Sequence, residues 1–478
     1  MRIPKGQISP IVFNIARRIE VAGGRSFLVG GAVVDLVRGA TPKDWDIEVF
    51  NLSIDDLVKL LSDLAPNEVG KAFGILKLSK EKCGGVDIDI NVPRRDNNTG
   101  VGHKDFSCVM DPRMTPREAA RRRDFTINSL SVDLTAGVII DPFGGMSDLS
   151  NGILRATDPE RFVEDPLRGL RAMQLLPRKA KSVDPGTMTL IRGMADSFPH
   201  LPKERVKEEW KKLLMKAEKP SIGLEFLRDS GWIKWFPELE ALIGCGQNPD
   251  WHPEGDVWIH SMEVVDSAAW VRDNKTLPDG WLTPFMFGTL LHDVGKPSTT
   301  VFPEMVESGD APKEMLWRAR GHDRAGMSPA KEFLERLGAG KKITERAVAI
   351  VGQHMQGWYL VDGEARTPAW KRLHNRLRLD VLGWMSRCDY CGRPTRHIWD
   401  PDIDHAVADR CWDHFDEFGE DPIKPLLMGR HLVAAGLRPG PKFGQILEAA
   451  YEAQLENEDL GIDELIMIGL DSTDLHAT

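Results

Sequence analysis

The chain lacks most of the features that mark membrane, secreted and disordered proteins. No stretch of its 478 residues approaches the roughly 18 consecutive uncharged apolar residues that a membrane helix needs. The first twenty residues carry Arg17, Arg18 and Glu20 where the apolar core of a secretory signal has to continue, so no signal peptide is expected. Six scattered cysteines are too few and too dispersed for a disulfide framework, which fits a reducing cytoplasm. Basic charge is not in excess either. Sixty-two Lys and Arg against 72 Asp and Glu leave a net charge of −10, which excludes a protein basic all over but leaves room for a local basic groove. There is no repeat of fixed period and no low-complexity run. With 41% hydrophobic and 28% charged residues, whole-chain disorder is excluded too.

What is present divides the chain. Its length suits roughly three domains. From Ser26 to about Leu154, short apolar runs alternate with helical patterns. The runs are 27–31, 46–50, 74–78, 86–92, 138–143 and 153–157; the helical patterns are 32–39, 53–64 and 116–130. That is a mixed α/β domain over 1–157. After Asp158 the strand signals stop and helical periodicity with charged faces takes over. A helical neck is expected over 158–245, a second helical domain over 246–395 with a polar insertion near 303–314, and a helical tail over 396–478. Within the tail, 421–459 reads as two helices joined by a Gly/Pro turn.

The first domain carries a constellation of glycines and acids. Phe27-Leu28-Val29 reads as a buried strand, after which Gly30 and Gly31 open a helix. Missing side chains there let backbone N–H groups approach a phosphate, although a glycine pair alone is more often only a tight turn. Asp44 and Asp46 start the next apolar run, and residues i and i+2 of a strand share a face. Two carboxylates on one face repel unless a cation lies between them. Asp87 and Asp89 repeat the pattern on another strand. Oxygen ligands from two strands suit Mg²⁺ and two-metal phosphoryl transfer.

In this order the motifs resemble the polymerase β-type nucleotidyltransferase superfamily. More narrowly, VGGAVVDLVRG…PKDWDIEVF, PRRDNNTGVGHKDF…AARRRDFTINSLSVDL and RFVEDPLRGLRA resemble the class II tRNA nucleotidyltransferase and bacterial poly(A) polymerase family. The resemblance implies a polymerase β-like α+β head with a mixed sheet, followed by all-α neck and tail domains. It implies that Asp44, Asp46 and Asp89 bind catalytic Mg²⁺, and that Gly30 and Gly31 contact the incoming nucleotide. Arg123, Asp124 and Asn128 match the ribose- and triphosphate-binding element. Asp165 and Arg168, with Arg171 nearby, match the residues that read CTP and ATP, because an Arg–Asp pair offers donors and acceptors to a base edge. Asp165 also precedes Pro166, where an Asp often caps a helix, and both roles are compatible. Val34 departs from the family, which carries Arg there; Arg38, one turn on, is expected to take over part of its contact with the triphosphate. Arg117, Arg121 and Arg122 are further candidates for triphosphate or RNA contact.

A second constellation consists of histidines in helical patterns: His260, His292-Asp293, His322 and His354, then Asp389. Each alone reads as a satisfied polar group. Together they resemble the HD phosphohydrolase domain, which implies a divalent metal of unspecified identity and phosphoester hydrolysis. Such a domain behind a nucleotidyltransferase head resembles the HD-containing bacterial tRNA nucleotidyltransferases. That implies 2′,3′-cyclic phosphodiesterase, 2′-nucleotidase or phosphatase activity. Cys388-x-x-Cys391 with His397 and Cys411 does not make a zinc site, because a lone CxxC lacks a well-spaced second half. In the tail, GRHLVAAGLRPGPKFGQIL resembles the family element that helps hold the tRNA, with packing on the preceding helices an equal alternative.

The expectation is a cytoplasmic enzyme that adds CMP and AMP from CTP and ATP to the tRNA 3′ end, with neither membrane nor obligate protein partner. Poly(A) polymerisation and C-only or A-only addition share these motifs. A hydrolase with a non-catalytic nucleotide- or RNA-binding head is the rival of another class.

Overall fold

A computed structural model describes residues 2–67, 74–98, 106–301, 318–393, 396–400 and 405–474. The chain divides into two compact units, Met1–Trp235 and Phe236–Thr478.

The first unit opens with α1 (Pro10–Val21), followed by β1 (Arg25–Val29), α2 (Gly31–Val37), β2 (Asp44–Phe50) and α3 (Ile54–Leu60). Ser53 caps α3 reciprocally with Asp56, satisfying two otherwise orphaned N–H groups. Next come β3 (Ile75–Lys77), β4 (Asp87–Asn91) and a separate antiparallel hairpin, β5 (Arg94–Asn98) with β6 (Phe106–Met110). The sequence reading did not foresee this hairpin, and its connecting residues 99–105 lie outside the described residues. Then follow α4 (Pro116–Arg121), β7 (Ser131–Asp133), β8 (Val138–Ile140), α5 (Gly145–Asn151) and β9 (Ile153–Leu154). Six strands form one mixed sheet in the order β3-β4-β2-β1-β7-β8. Its parallel pair is β2 with β4.

The helix expected over 116–130 is much shorter. Thr115 and Glu118 form a capping box that starts α4, yet the helix ends at Arg121. The Asp124 carboxylate then takes the N–H of Phe125, and Ser129 donates to the Thr126 carbonyl. Local side-chain bonds of this kind compete with helix continuation, and Thr126–Ser129 form a single 3-10 turn before β7. Phe27 of β1 meets Phe50 of β2 edge-on at 5.3 Å, and both pack with Val29, Met114 and Ala119. Each buried aromatic of this kind contributes roughly 1.5–3 kcal/mol relative to exposure.

Beyond the sheet, α6 (Pro159–Phe162) and α7 (Leu167–Lys179) lead into the helices Pro185–Gly193, Lys203–Lys216 and Pro220–Asp229. Strand structure does not stop at Asp158 as expected. β10 (Ser182–Val183) pairs in parallel with β9. Two-residue runs like these carry too few residues to show a period-2 pattern.

Among the described residues, the regular structure of the second unit is helical apart from the two-residue pair β11 (Thr300–Val301) and β12 (Arg318–Ala319). The helices Val257–Asn274, Leu282–Leu291, Lys341–Gln353 and Leu379–Tyr390 pack on one another. Leu282–Leu291 is apolar all round and buried over most of its length, which identifies it as a central helix. The expected insertion near 303–314 lies outside the described residues. Two tail helices, Gly429–Ala434 and Lys442–Glu456, flank a Gly/Pro connection as expected, and share a small core of Leu427, Leu432, Ile446, Ala450 and Leu465. Among the described residues no helix is long and apolar enough to cross a membrane.

Candidate active sites

The parallel register of β2 and β4 sets the first site. Asp44 stands beside Asp87 and Asp46 beside Asp89, so two acid pairs line the edge where both strands begin. Asp87 is neutralised by Lys80 at 2.7 Å, which removes it from the functional set. Among the described residues Asp89 has no such bond: its Oδ1 is buried and without a hydrogen-bond partner. Burial, then the charges of Asp89, Asp44 and Glu48 against that of Arg123, raise the Asp46 pKa to about 6. Burial chiefly raises Asp89 as well. An orphaned buried oxygen and a carboxyl driven toward protonation by its neighbours are what a cation site shows without its cation. The residues therefore fit Mg²⁺. Among the described residues, these three carboxylates do not all bring a ligand oxygen within 4.8 Å of one another, as the groups of the second unit described below do.

Gly30 sits between these acids and Arg123. Its φ of +71° is left-handed, and a Cβ there would lie 3.4 Å from Asp46 Oδ2 and 3.9 Å from Arg123 Nη1. Over Gly31, a Cβ would meet nothing within 4 Å among the described residues, so its face is open. Arg123 pairs with Glu48 at 3.2 Å and donates to the Asn128 carbonyl at 3.4 Å. Asp124 points the other way. It is buried, accepts from Phe125 N and Asn128 Nδ2, and binds Arg171 of α7 at 2.7 Å. Burial opposes its ionisation, but the Arg171 guanidinium and these donors outweigh burial and hold the carboxyl below its usual range. Asp124 thus ties the 123–128 segment to α7.

Asp165 takes up the capping role and adds an ion pair to it. Oδ1 accepts Leu167 N at the start of α7, and Oδ2 pairs with Arg205 at 2.9 Å. Arg168 donates to the carbonyls of Arg161 and Arg122 and lies over the Phe162 ring. Arg205 was not foreseen, because it lies 40 residues away on the helix Lys203–Lys216. Arg38 does not point at the acids' partners: its guanidinium donates to the Arg178 and Lys179 carbonyls at the end of α7, where free carbonyls attract cations. Val34 is fully buried, so its departure from Arg is absorbed into the core. Arg121 pairs with Asp158, Arg122 with the Arg94 carbonyl, and Arg117 with the Pro142 carbonyl and Phe143 ring.

In the second unit all six expected groups converge. His260, His292 and Asp389 present ligand atoms within 4.8 Å of one another, as do Asp293, His322 and His354. His292, His322 and His354 each bond through Nδ1 to the carbonyl three residues earlier, of Thr289, Ala319 and Val351, at 2.7–2.8 Å. This fixes the rings with Nε2 inward, the arrangement that metal-binding histidines use. His292 Nε2 is buried without a hydrogen-bond partner, and His322 and His354 bring their Nε2 atoms within 3.0 Å of each other. Burial and the neighbouring His322 and His292 press His354 down to about 3, so it stays neutral. Burial would also lower His260, but Asp389 at 2.9 Å and Glu254 at 2.8 Å raise it to about 9. The donor set of imidazoles and carboxylates fits a divalent transition metal, whose binding would displace the proton that the carboxylates otherwise hold on His260.

Sequence reasoning missed three participants. Lys296 lies 2.7 Å from Asp293, one helical turn beyond the His-Asp pair, a spacing that could have revealed it. His252 and Glu254 fell in a segment read as a loop boundary. The cluster opens into a cavity of about 470 Å³ whose lining includes Asp293, His322, His354, Asp389, Lys296 and Arg393. Cys388, Cys391 and Cys411 are buried free thiols outside these clusters.

The mixed sheet, the glycine turn and the facing carboxylates define the head of a nucleotidyltransferase. Residues 26–155 match the poly A polymerase head domain, and 182–243 match the probable RNA and SrmB-binding site of polymerase A. The multifunctional CCA protein of Neisseria meningitidis is 35% identical over 334 residues, 69% of this chain and 72% of that protein. That of Stenotrophomonas maltophilia is 33% identical over 378 residues, 77% of this chain and 82% of that protein. The chain belongs to this family of multifunctional CCA proteins. Its fold is also that of the Bacillus stearothermophilus CCA-adding enzyme solved in complex with CTP, at a TM-score of 0.63, 18% identity, and 98% and 99% coverage of the two chains. The Thermotoga maritima CCA-adding enzyme, solved with tRNA, shares it at a TM-score of 0.57, 17% identity and 99% coverage of both.

Proposed function

We propose that this protein adds CMP and AMP, drawn from CTP and ATP, to the 3′ end of tRNA and releases pyrophosphate at each step. The observation that carries the reading is the β2–β4 register, which sets Asp46 against Asp89 and leaves one Asp89 oxygen buried and unpartnered. Asp44, Asp46 and Asp89 would hold two Mg²⁺ ions, which when bound acidify the attacking hydroxyl and neutralise charge on the leaving pyrophosphate. The 3′-oxygen forms a bond to the α-phosphorus as the bond to pyrophosphate breaks. Arg123, held by Glu48 next to Asp46, supplies fixed positive charge beside the triphosphate. Asp165, just before α7, and Arg168 in its first turn read the base edge, and the position of α7 is fixed by the Arg171–Asp124 pair.

The second unit acts as a phosphohydrolase on 2′,3′-cyclic phosphates or 2′-phosphates. Its support is the gathering of four histidines and two aspartates into two ligand groups, of which Asp293, His322, His354 and Asp389 line one cavity together with the cations of Lys296 and Arg393. Clearing a blocked 3′ end before extension makes the two chemistries consecutive.

The test is to incubate the protein with tRNA lacking its last three nucleotides, supplying labelled NTPs singly and in pairs. Growth by three nucleotides with CTP and ATP is expected. Long A tails would establish poly(A) polymerisation instead, and no extension with Mg²⁺ present would defeat both.

A further inference from the structure

His260 differs from the other three histidines of the second unit in how its ring is held. His292, His322 and His354 lie at helix boundaries or turns, where a carbonyl three residues earlier is accessible. His260 lies inside the helix Val257–Asn274, and the Val257 carbonyl already accepts from Ser261 Oγ. Within a helix that carbonyl is also engaged by the backbone ladder. The ring needs an acceptor from elsewhere.

Glu254 provides it. Its Oε1 lies 2.8 Å from His260 Nδ1 and 2.8 Å from His252 Nδ1, and its side chain is 1% exposed. The Gly392 carbonyl approaches the same His260 nitrogen at 3.3 Å. A Cβ on Gly392 would lie within 2.8–2.9 Å of the His260 ring, so glycine is what lets the two elements close on it. The opposite nitrogen, Nε2, faces Asp389 at 2.9 Å and Asp293 at 3.9 Å.

We propose that Glu254 is a positioning residue of the hydrolytic site: one carboxylate oxygen fixes both His260 and His252 through Nδ1, turning His260 Nε2 onto the metal position and His252 toward the cavity. The inference rests on the reading of the second unit as a metal-dependent hydrolase. It assigns to a side chain from the loop before the helix the task that backbone carbonyls perform for the other three histidines. His252 lines the cavity beside Asp293, His322 and Asp389, so a single acid orders one ring at the metal and one at the substrate's entrance.

The experiment measures Mn²⁺ binding by titration calorimetry on the full chain carrying Asp46→Asn and Asp89→Asn, so that the second unit supplies the remaining site. His292→Ala in that background is expected to abolish tight binding. If it changes nothing, the hydrolase reading fails. With that control in place, Glu254→Ala is expected to weaken Mn²⁺ by about 10–100-fold, the cost typical of losing the partner of a metal-binding histidine. Glu254→Gln, whose amide oxygen can take the place of Oε1 as acceptor but carries no charge, is expected to lose less. The same single substitutions with an intact head are expected to leave nucleotide addition at the parent rate, which excludes global unfolding. Unchanged Mn²⁺ affinity in Glu254→Ala overturns the proposal. So does loss of one ion from a two-ion stoichiometry with the other unaffected, since that would make Glu254 a ligand.

Discussion

Asp46 and Asp89 stand opposite each other on two parallel strands, and among the described residues neither carboxylate has a lysine or arginine bound to it as Asp87 does. Replacing Asp89 by Asn is therefore expected to remove nucleotide addition while sparing the fold. A loss of about 10³-fold or more in extension rate corresponds to the several kcal/mol that a catalytic metal supplies. Thermal denaturation without metal should show no destabilisation, because the substitution relieves repulsion. A drop in melting temperature with activity retained contradicts the assignment.

Asp46 also predicts a pH dependence. Its folded pKa of about 6 lies above its ordinary value of 3.8. The metal-free fold thus holds a proton that the unfolded chain releases, and the associated stability is present below about pH 4 and lost as pH rises through 6. Cation binding has the opposite sign, since an ion must displace that proton. Mg²⁺ or Mn²⁺ affinity at the head should fall as pH drops from 7 to 5, with proton uptake by the buffer visible in calorimetry. Asp46→Asn should abolish both the binding and the released proton.

Arg171 and Asp124 form a pair in which the carboxylate is buried and the guanidinium partly so. Breaking it from the arginine side leaves an unpaired buried charge, which costs about 3–5 kcal/mol. Arg171→Ala should shift the denaturation midpoint of the first unit accordingly. Arg171→Lys should recover only part of it, because a point charge cannot reproduce the guanidinium geometry.

The two chemistries should separate by mutation. His292→Ala is expected to abolish hydrolysis of a 2′,3′-cyclic phosphate while leaving nucleotide addition at the parent rate; Asp89→Asn should do the reverse. A chelator followed by graded return of single metals, assayed for each product, checks whether the two sites take the same ion.

Much of this was legible in the sequence where chemistry recurs at short spacing. Asp44 and Asp46, and likewise Asp87 and Asp89, announced a shared strand face because the side-chain period of a strand is 2. The pairing that chooses Asp89 over Asp87 depends on Lys80, whose position across a turn no periodicity reports. Histidines in helices were visible; Glu254 was not, because an acid in a Gly/Pro-rich segment reads as solvated loop. Arg38 illustrates the converse error of scale. One helical turn does place it near position 34, but α2 has already ended, and the guanidinium finds the free carbonyls of α7 first.

The Asp124–Arg171 contact has a consequence for how an enzyme can choose nucleotides without a template strand. On the proposed reading the segment bearing Arg123 would grip the phosphate tail and Arg168 of α7 would face the ring; the interior Asp124–Arg171 ion pair couples the two elements. The pair would then act as a ruler set to one nucleotide's length, so that selection would depend on the shape of the base edge at a constant distance from the reacting phosphorus.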